Sequence, residues 1–453
     1  MQEQKIGFGE KMSYLLANVG NFPIMTLISS YLMIFYTDVI GLDPAAIATL
    51  FILTRVFDGL NDPIMGFIID HLPATRMGRF RPYLLIGSIV CSLNFLLLWF
   101  GPMFASTFKL GIAYISYLLI GVTFDLMDIP LNSLIPAMTD DMKQRGTLST
   151  LKGLSLSVAG ALVIMPAPII IANAPSPKQG YVTVILLGTA IVLVFSIIGA
   201  LGVKERVQPA ETGKYRLRDI FRILGTSPVL ITFLALLFYG MSGAAASNMQ
   251  VYFATYILGD VSIITWQQFG MAFMLPTLLL SGWFTQKFGK RIVFAAGLVL
   301  NGVAPLLRLF DVHNIPLLLV STAIAGVGLG FIMSLMYSVQ ADNVDYVEWK
   351  KGLRAEGQLA SVNSFIVKAS SGIGAAIPGY ILAATGYVAN QTQTAQAAEG
   401  IIFSSIILPG VLMVLAGVVF YAGYRVSNSD VLRINAELRA RRGDTAAMPQ
   451  AQD

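Results

Sequence analysis

The sequence predicts an all-α polytopic membrane protein with twelve transmembrane helices. Of its 453 residues, 55% are hydrophobic and only 12% are charged, whereas ordinary soluble domains carry about 25% charged residues. Apolar stretches of about 20 residues, the length that crosses a bilayer, recur from one end of the chain to the other. The net charge of +5 is spread over short loops, so it gives no indication of nucleic-acid binding.

Hydropathy locates the individual spans. The first six lie near 12–36, 45–69, 82–101, 109–137, 148–172 and 181–202, and the second six lie near 229–258, 266–286, 291–310, 315–345, 358–386 and 402–425. The polar stretch 203–228 predicts two six-helix halves, 1–202 and 229–425, followed by a polar tail, 426–453. In both halves the loop before the third span carries Gly and then basic residues, MGRFRP and KFGKRIVF. Paired halves of this kind are usual in secondary transporters.

Lysine and arginine positions predict the orientation. If the N-terminus is cytoplasmic, the outside loops hold only Lys109, Lys178 and Arg308, and nearly all other basic residues lie inside. That bias predicts that both termini are cytoplasmic. The N-terminal segment lacks a small-residue cleavage site, so we interpret it as a retained first span. The single cysteine, Cys91, excludes an intrachain disulfide.

The second span carries the most informative charges. Asp58 and Asp62 are four residues apart, so their carboxylates share one helix face, with Asn61 beside them and Arg55 one turn earlier. A charge at membrane depth costs at least ~2.5 kcal/mol on insertion scales and usually marks an ion or substrate path. We therefore predict that Asp58 and Asp62 bind a coupling cation, as metal ligands if that cation is Na⁺, and that Arg55 holds a carboxylate in place.

Other spans add Asp125 and Asp128 in span 4, Lys152 in span 5 and Lys368 in span 11. Together with span 2 they make four carboxylates against three cations. The excess negative charge has to be neutralised by a proton or a metal cation, which is the requirement for a cation-coupled transporter. The alternative is that all seven groups form structural ion pairs, although buried pairs stabilise little relative to apolar packing.

The basic loop after span 2 predicts a conformational latch. Arg79 and Arg81, with Asp70 nearby and Arg354 after span 10, lie at predicted cytoplasmic helix ends, where they can pair with acidic groups of another span. The candidate acidic partners are Asp140, Asp141, Asp342, Asp345 and Glu348. Positive-inside anchoring explains the same arginines equally well.

Five motifs resemble the glycoside–pentoside–hexuronide:cation symporters, a branch of the major facilitator superfamily that includes the melibiose and glucuronide carriers. They are FYTDVIGL (35–42), RVFDGLNDPIMG (55–66), GRFRPYLLIG (78–87), MDIPLNSLIPAMT (127–139) and DNVDYVEWKKGLRAEG (342–357). The resemblance covers nearly the whole chain. It implies the major facilitator fold, alternating access, a location in the bacterial inner membrane and function as a monomer.

The resemblance also implies roles for single residues. Asp58 and Asp62 match the family's cation-coupling carboxylates, with Asn61 beside them. Asp128 matches a helix 4 carboxylate that hydrogen-bonds sugar hydroxyls, and Lys368 matches a lysine near the cation site.

Several positions depart from the melibiose carrier. Phe22 stands in place of a sugar-binding Asp, Phe124 in place of a Tyr, and Asn132 in place of a Trp. Asp125 replaces a Thr of the sodium site, and Lys152 aligns with an Arg of the glucuronide carrier. We therefore add Asp125 to the predicted cation site. The predicted substrate site comprises Asp128, Lys152, Lys368, Phe22, Phe124 and Asn132.

The prediction is a symporter that moves a glycoside, pentoside or hexuronide together with Na⁺ or H⁺ and needs no other cofactor. Lys152 and Lys368 favour an anionic sugar, whereas Asp128 favours neutral hydroxyl groups. A lysolipid:cation symporter is an alternative that Phe22 and Phe124 would suit, and a non-transporting membrane sensor is another. The sequence contains no nucleophile–base pair or metal-ligand cluster that would predict an enzyme.

Overall fold

The computed structural model describes residues 6–71, 75–105, 107–207, 226–352 and 356–442. In these ranges the chain forms helices joined by short connections, and we number the long helices in chain order. The first six are α1 (Phe8–Ile34, continued by the π-helical turn Phe35–Ile40), α2 (Pro44–His71), α3 (Arg81–Phe104), α4 (Lys109–Met138), α5 (Met142–Ala159, the π-helical turn Gly160–Ile164 and Pro166–Ala172) and α6 (Pro177–Gly202).

The remaining helices are α7 (Ser227–Tyr252, continued by the π-helical turn Phe253–Leu258), α8 (Ile263–Met271 and Met274–Phe288), α9 (Lys290–Leu306, ending in the 3-10 turn Leu307–Phe310), α10 (Ile315–Lys351), α11 (Glu356–Ala384), α12 (Ala395–Ile402, the π-helical turn Phe403–Ile407 and Leu408–Gly423) and α13 (Asn428–Arg442).

Eleven helices are long and apolar enough to cross a membrane, counted over the described residues. The twelfth long helix, α2, has 28 residues but includes Arg55, Asp58, Asp62 and Asp70. Its charges rather than its length set it apart from the other spans. The predicted all-helical membrane fold is confirmed, and α2 is its most polar span.

Several helices begin at a side chain of the type that favours a helix start. Asp141, Ser176, Asn314 and Thr394 each accept a hydrogen bond from the backbone N–H three residues later, at 2.6 to 3.3 Å. Each bond satisfies a donor that the first helical turn leaves without a partner and is worth about 1 kcal/mol. These caps determine where α5, α6, α10 and α12 begin.

The two halves anchor their third helix in the same way. The guanidinium of Arg81, at the start of α3, donates to the carbonyls of Ala200 and Leu201 at the end of α6, both at 2.8 Å. Arg291, at the start of α9, donates to the carbonyl of Tyr421 at the end of α12 at 2.9 and 2.5 Å. A cation is favourable beside C-terminal carbonyls because of the helix dipole. The basic residues that follow Gly in both loops therefore hold the third helix of each half to the sixth.

Glu205 fixes the start of α3. Its carboxylate accepts hydrogen bonds from the backbone N–H groups of Arg79, Phe80 and Arg81 at 2.7, 2.8 and 2.8 Å. A carboxylate is stabilised there because the N-terminal end of a helix is the positive end of its dipole. A Cβ at Gly78 would come within 2.6 Å of this carboxyl group, and the φ of Gly78 is 113°. Only glycine fits both requirements.

The chain divides into two compact units. The first comprises Met1–Thr212, Ala244–Trp266 and Gly372–Ser405, and the second comprises Gly213–Gly243, Gln267–Ser371 and Ile406–Asp453. The first unit thus contains the first six helices together with one end each of α7, α11 and α12, the end that the basic residues predict to face outside. The chain-order division at 202, 228 and 425 stays a prediction.

Aromatic side chains fill the core of each unit. In the first unit, Trp99 packs edge-to-face on Phe35 and Phe95, with ring centroids 5.0 and 5.9 Å apart. In the second unit, Phe420 packs on Phe294 and Tyr424, with centroids 4.8 and 4.6 Å apart. These offset and edge-on arrangements add to the energy of apolar burial. They hold α1 to α3 in the first unit and α9 to α12 in the second.

The polar tail forms α13, which docks on the end of α10. The indole nitrogen of Trp349 donates to Glu437 Oε2 at 2.5 Å, and the guanidinium of Arg441 donates to the carbonyl of Trp349 at 3.0 Å. These polar contacts, together with the buried side chains of Ile434 and Leu438 and the packing of Val431 on the apolar core, fix α13 to the second unit.

Candidate ion and substrate sites

Helices α2 and α4 bury the first group of predicted polar side chains. On α2 the guanidinium of Arg55 donates to Asp58 Oδ2 at 3.0 Å, and Asp58 is only 8% exposed. Gly121 lies against it on α4, and a Cβ there would clash with Asp58 Oδ1. The Asp58 carboxylate is therefore held between Arg55 and the backbone of α4.

Asn61 and Asp125 meet about one turn further along both helices. Asn61 Nδ2 donates to Asp125 Oδ2 at 3.0 Å, and each residue is 7% exposed. The structure thus brings together two members of the predicted cation site from different helices. The side chain of Asp62 lies outside the described part of the chain, as do those of Asp70 and Arg354 from the predicted latch. We call Arg55, Asp58, Asn61 and Asp125 the ion group.

A second set of polar side chains joins α1, α4 and α5. Asp128 Oδ1 accepts a hydrogen bond from Asn21 Nδ2 at 2.5 Å, and Oδ2 accepts one from Asn132 Nδ2 at 2.8 Å. Asn132 Oδ1 accepts in turn from Lys152 Nζ at 2.5 Å. We call these four residues the polar row. The carboxylate of Asp128 and the ammonium group of Lys152 flank the amide of Asn132. The row therefore places oxygen atoms that can accept hydrogen bonds from hydroxyl groups beside a positive charge.

Asn21 is the member of the polar row that the sequence analysis did not predict. The sequence comparison pointed to Phe22 at this position of α1, yet Asn21 makes the contact with Asp128, while Phe22 is half-buried. The Oδ1 of Asn21 is buried and accepts no hydrogen bond. An unsatisfied buried acceptor is costly unless a ligand supplies a donor. The signal that was available is the amide itself, one of the two side-chain amides of the first span, the other being Asn18.

The remaining predicted residues divide between the two units. Phe124 is half-buried, one turn before Asp128 on α4, and Lys368 is half-buried on α11 in the second unit. The guanidinium of Arg81 donates its hydrogen bonds to main-chain carbonyls. The guanidinium of Arg79 lies 5.7 Å from the ring of Phe80, and its buried Nε has no hydrogen-bond partner. A latch role stays a prediction for Arg79.

Helix α4 connects the two sites. Asp125 and Asp128 are three residues apart, so they lie on neighbouring faces of α4. Asp125 contacts α2 within the ion group, and Asp128 contacts α1 within the polar row. A shift of α4 that follows a change of charge at Asp125 therefore moves Asp128 as well.

Comparison with known proteins identifies the family. The family model described as "MFS/sugar transport protein" matches residues 13–428. The chain belongs to this family of membrane transporters. It is 31% identical over 417 residues to the isoprimeverose transporter of Lactiplantibacillus pentosus, covering 90% of this chain and 87% of that protein.

Further relatives agree with the MFS/sugar transport assignment. The glucuronide carrier protein homolog of Escherichia coli is 30% identical over 427 residues, covering 92% of this chain and 93% of that protein. A solved bacterial homolog of the human lysosomal transporter Spinster superposes with a TM-score of 0.64 at 15% identity, covering 93% of this chain and 97% of that chain. The first relative supports a family-level resemblance in sequence, and the solved structure supports the fold. As a family member, the protein is a transporter and not an enzyme.

Gly121→Ala is expected to lower the initial rate of transport at least about tenfold, because the added methyl group displaces a carboxylate that accepts a charge-assisted hydrogen bond. The clash is with Asp58 Oδ1. Gly59→Ala is the matched control, since Gly59 adjoins Asp58 on α2 and a Cβ there meets nothing within 4 Å. Transport is measured in vesicles with equal amounts of folded protein. Equal rates for the two variants would contradict a role for this packing contact.

Proposed function

We propose that this protein couples the uptake of a sugar to the inward movement of Na⁺ or H⁺ by alternating access. The observation that carries the proposal is the position of Asp125 and Asp128 on one helix, three residues apart, in two separate polar groups. One group suits a small cation and the other suits hydroxyl groups. The basic residues of the predicted inside loops support an inner-membrane location with both termini cytoplasmic, and we propose the monomer as the functional unit.

The balance of charge supports cation coupling. The intramembrane charges are the carboxylates Asp58, Asp62, Asp125 and Asp128 and the cations Arg55, Lys152 and Lys368. One negative charge remains, and a bound Na⁺ or H⁺ neutralises it. Because a net charge is costly in a medium of low dielectric constant, the occluded state forms readily only with the cation bound. Cation and sugar then bind cooperatively, and each raises the affinity of the other by the same factor.

The geometry of the polar row supports a sugar as the substrate. Asp128 accepts hydrogen bonds from two amides, and sugar hydroxyls can replace or join those donors. The buried Oδ1 of Asn21 is positioned beside them as a further acceptor. The names of the relatives, which refer to isoprimeverose and glucuronide, agree with a glycoside, pentoside or hexuronide.

Lys152 favours a sugar acid within that class. Its ammonium group has three donors, and the contact with Asn132 uses one of them. A substrate carboxylate can take another while its hydroxyls reach Asp128. Lys152→Gln is therefore expected to raise the KM for a glucuronide about tenfold or more, through loss of a charge-assisted contact. The KM for a neutral glycoside should change little. Uptake of both substrates by one variant gives the comparison, and equal effects would contradict the proposed contact.

The experiment that tests the proposed function follows ions in right-side-out vesicles. A panel of neutral glycosides, pentosides and uronides is added while external pH and Na⁺ are recorded together. Substrate-evoked alkalinisation or Na⁺ loss is the expected result, and it identifies the ion and the substrate class at once. Substrate uptake without either ion movement would overturn cation coupling, and no uptake across the panel by folded protein would overturn sugar transport.

A further inference from the structure

Helices α1 and α7 end with the same local structure. Both finish in a π-helical turn followed by a left-handed glycine, in FYTDVIG (35–41) and FATYILG (253–259). The φ angles of Gly41 and Gly259 are 80° and 74°. In each case the N–H of the residue after this glycine donates to the carbonyl six residues earlier, at 2.9 and 3.0 Å. The two ends are therefore equivalent elements of an internal repeat, and position 38 corresponds to position 256.

Asp38 and Tyr256, the residues at these equivalent positions, are in contact. The hydroxyl of Tyr256 donates to Asp38 Oδ2. The hydroxyls of Tyr387 and Thr37 both donate to Asp38 Oδ1 at 2.6 Å. Three hydroxyl groups thus lie within hydrogen-bond distance of one carboxyl group. Two of the donors, Tyr256 and Tyr387, come from segments 218 and 349 residues further along the chain.

Asn390, in the loop between α11 and α12, completes the network. Its backbone N–H donates to the Tyr256 hydroxyl at 3.0 Å, and its Nδ2 donates to the Asp38 carbonyl at 2.7 Å. Its φ is 58°, and among the described residues it is the one non-glycine residue with a positive φ. Asn adopts this left-handed conformation more readily than most other non-glycine residues. We call Asp38, Tyr256, Tyr387 and Asn390 the outer lock.

The Tyr387 hydroxyl also lies 2.9 Å from the Tyr256 hydroxyl, so its single hydrogen has two acceptors within reach, Asp38 Oδ1 and the Tyr256 oxygen. The two phenols and the carboxyl group of Asp38 thus form one closed set of hydrogen bonds. The salt bridges within the described ranges do not include Asp38, and Lys109 donates to the Ile40 carbonyl at 3.2 Å instead. Burial and the Asp38 charge raise the pKa of Tyr387 above its ordinary value, so this phenol keeps its hydrogen at physiological pH.

We infer that the outer lock holds the outside of the transporter closed, by joining the end of α1 to the end of α7 and to the α11–α12 loop. Six hydrogen-bond contacts cross between these segments, including the pair of Thr37 and Tyr252 hydroxyls at 2.8 Å, and two of the six end on the Asp38 carboxyl group. Substrate can enter from outside only when α1 and α7 separate at this end, so the four residues are positioning residues of the transport cycle. The inference rests on the proposed alternating access, and it concerns a region distinct from the ion group and the polar row.

Spin labels on the two sides of the outer lock test this inference. Lys178, in the first turn of α6, and Gln391, in the loop between α11 and α12, are exposed and predicted to face outside. Lys178→Cys and Gln391→Cys provide label sites once the buried Cys91 is replaced by alanine. The distance between labels is measured in lipid nanodiscs without substrate. For Tyr387→Phe and Asp38→Asn, we expect a second, longer distance and a rise of roughly tenfold or more in the ratio of open to closed protein.

Tyr36→Phe is the matched control, because the Tyr36 hydroxyl donates to the Leu98 carbonyl at 2.7 Å within the first six helices. It removes one buried hydrogen bond two residues from Asp38 without crossing between α1 and α7. Its distance distribution should match that of the parent protein. Unchanged distances in folded Tyr387→Phe and Asp38→Asn would overturn the lock, and so would an equal shift in Tyr36→Phe. The measurement needs neither sugar nor coupling ion, so its outcome is independent of the proposed symport.

Discussion

Asp58→Asn is expected to abolish the accumulation of substrate against its gradient while downhill exchange continues. The substitution keeps the size of the side chain and removes the charge that pairs with Arg55 at 3.0 Å. Loss of one charged group that contacts the cation costs about 1.5–3 kcal/mol, or roughly 10- to 150-fold in affinity for the coupling cation. Exchange of labelled for unlabelled substrate does not need net cation movement, so it should persist. Uptake and exchange in the same vesicles measure both quantities.

A double variant separates ion binding from a purely structural role. If Asp58 serves only to neutralise Arg55, then Arg55→Gln combined with Asp58→Asn restores a neutral pair and should restore accumulation. If Asp58 binds the cation, the double variant stays inactive in accumulation. Asp43→Asn is the matched control, since Asp43 is exposed at the start of α2 and its carboxylate caps Ala45 and Ala46. Accumulation by Asp58→Asn at the level of this control would contradict the proposed ion site.

Asp128→Asn is expected to weaken substrate binding, whereas Asp125→Asn is expected to weaken cation binding. The two positions are three residues apart on α4 and undergo the same chemical change, so each is the control for the other. Loss of a hydrogen bond to a charged group costs about 1.5–3 kcal/mol, or roughly 10- to 150-fold in affinity. Asp128→Asn should raise the substrate Kd by this factor at saturating cation. Asp125→Asn should leave the substrate Kd at saturating cation nearly unchanged. It should raise the cation concentration at which that Kd is attained.

Substrate binding to purified protein, titrated at several concentrations of Na⁺ and at several pH values, measures both constants. Under the proposed linkage of cation and sugar binding, each variant also changes the apparent affinity for the other ligand when the cation is limiting. The distinction therefore depends on the values at saturation. If both variants shift the same constant by the same factor, α4 does not separate two sites, and the proposed coupling through this helix is wrong.

The polar row, our proposed substrate site, shows how far prediction from sequence reaches. Asp128, Asn132 and Lys152 were predicted as substrate residues, and the structure joins them in one hydrogen-bonded row. Asn21 was missed in favour of Phe22, its neighbour on α1. One residue corresponds to a rotation of about 100° on a helix. The rotation of α1 about its own axis, relative to α4, therefore decides whether residue 21 or residue 22 points toward Asp128. No local sequence pattern in the first span predicts that rotation.

The loop arginines show a second limit. Their clustering after Gly78 predicted a latch, but positive charge near a helix end has several uses. The structure shows Arg81 bound to the carbonyls of Ala200 and Leu201, more than a hundred residues away along the chain. This use requires the last turn of α6 to lie beside the first turn of α3. That proximity results from the packing of the helices and is not contained in either loop.

The sequence by itself determined the membrane class, the number and order of the spans, and the helices that carry charge. It did so because apolar length and the cost of an intramembrane charge are properties of single segments. The tertiary structure alone decided the contacts between helices, namely Asn61 with Asp125, Asn21 with Asp128, and Asp38 with Tyr256 and Tyr387. Helical periodicity states which residues share a face, but packing against the other helices decides what that face meets.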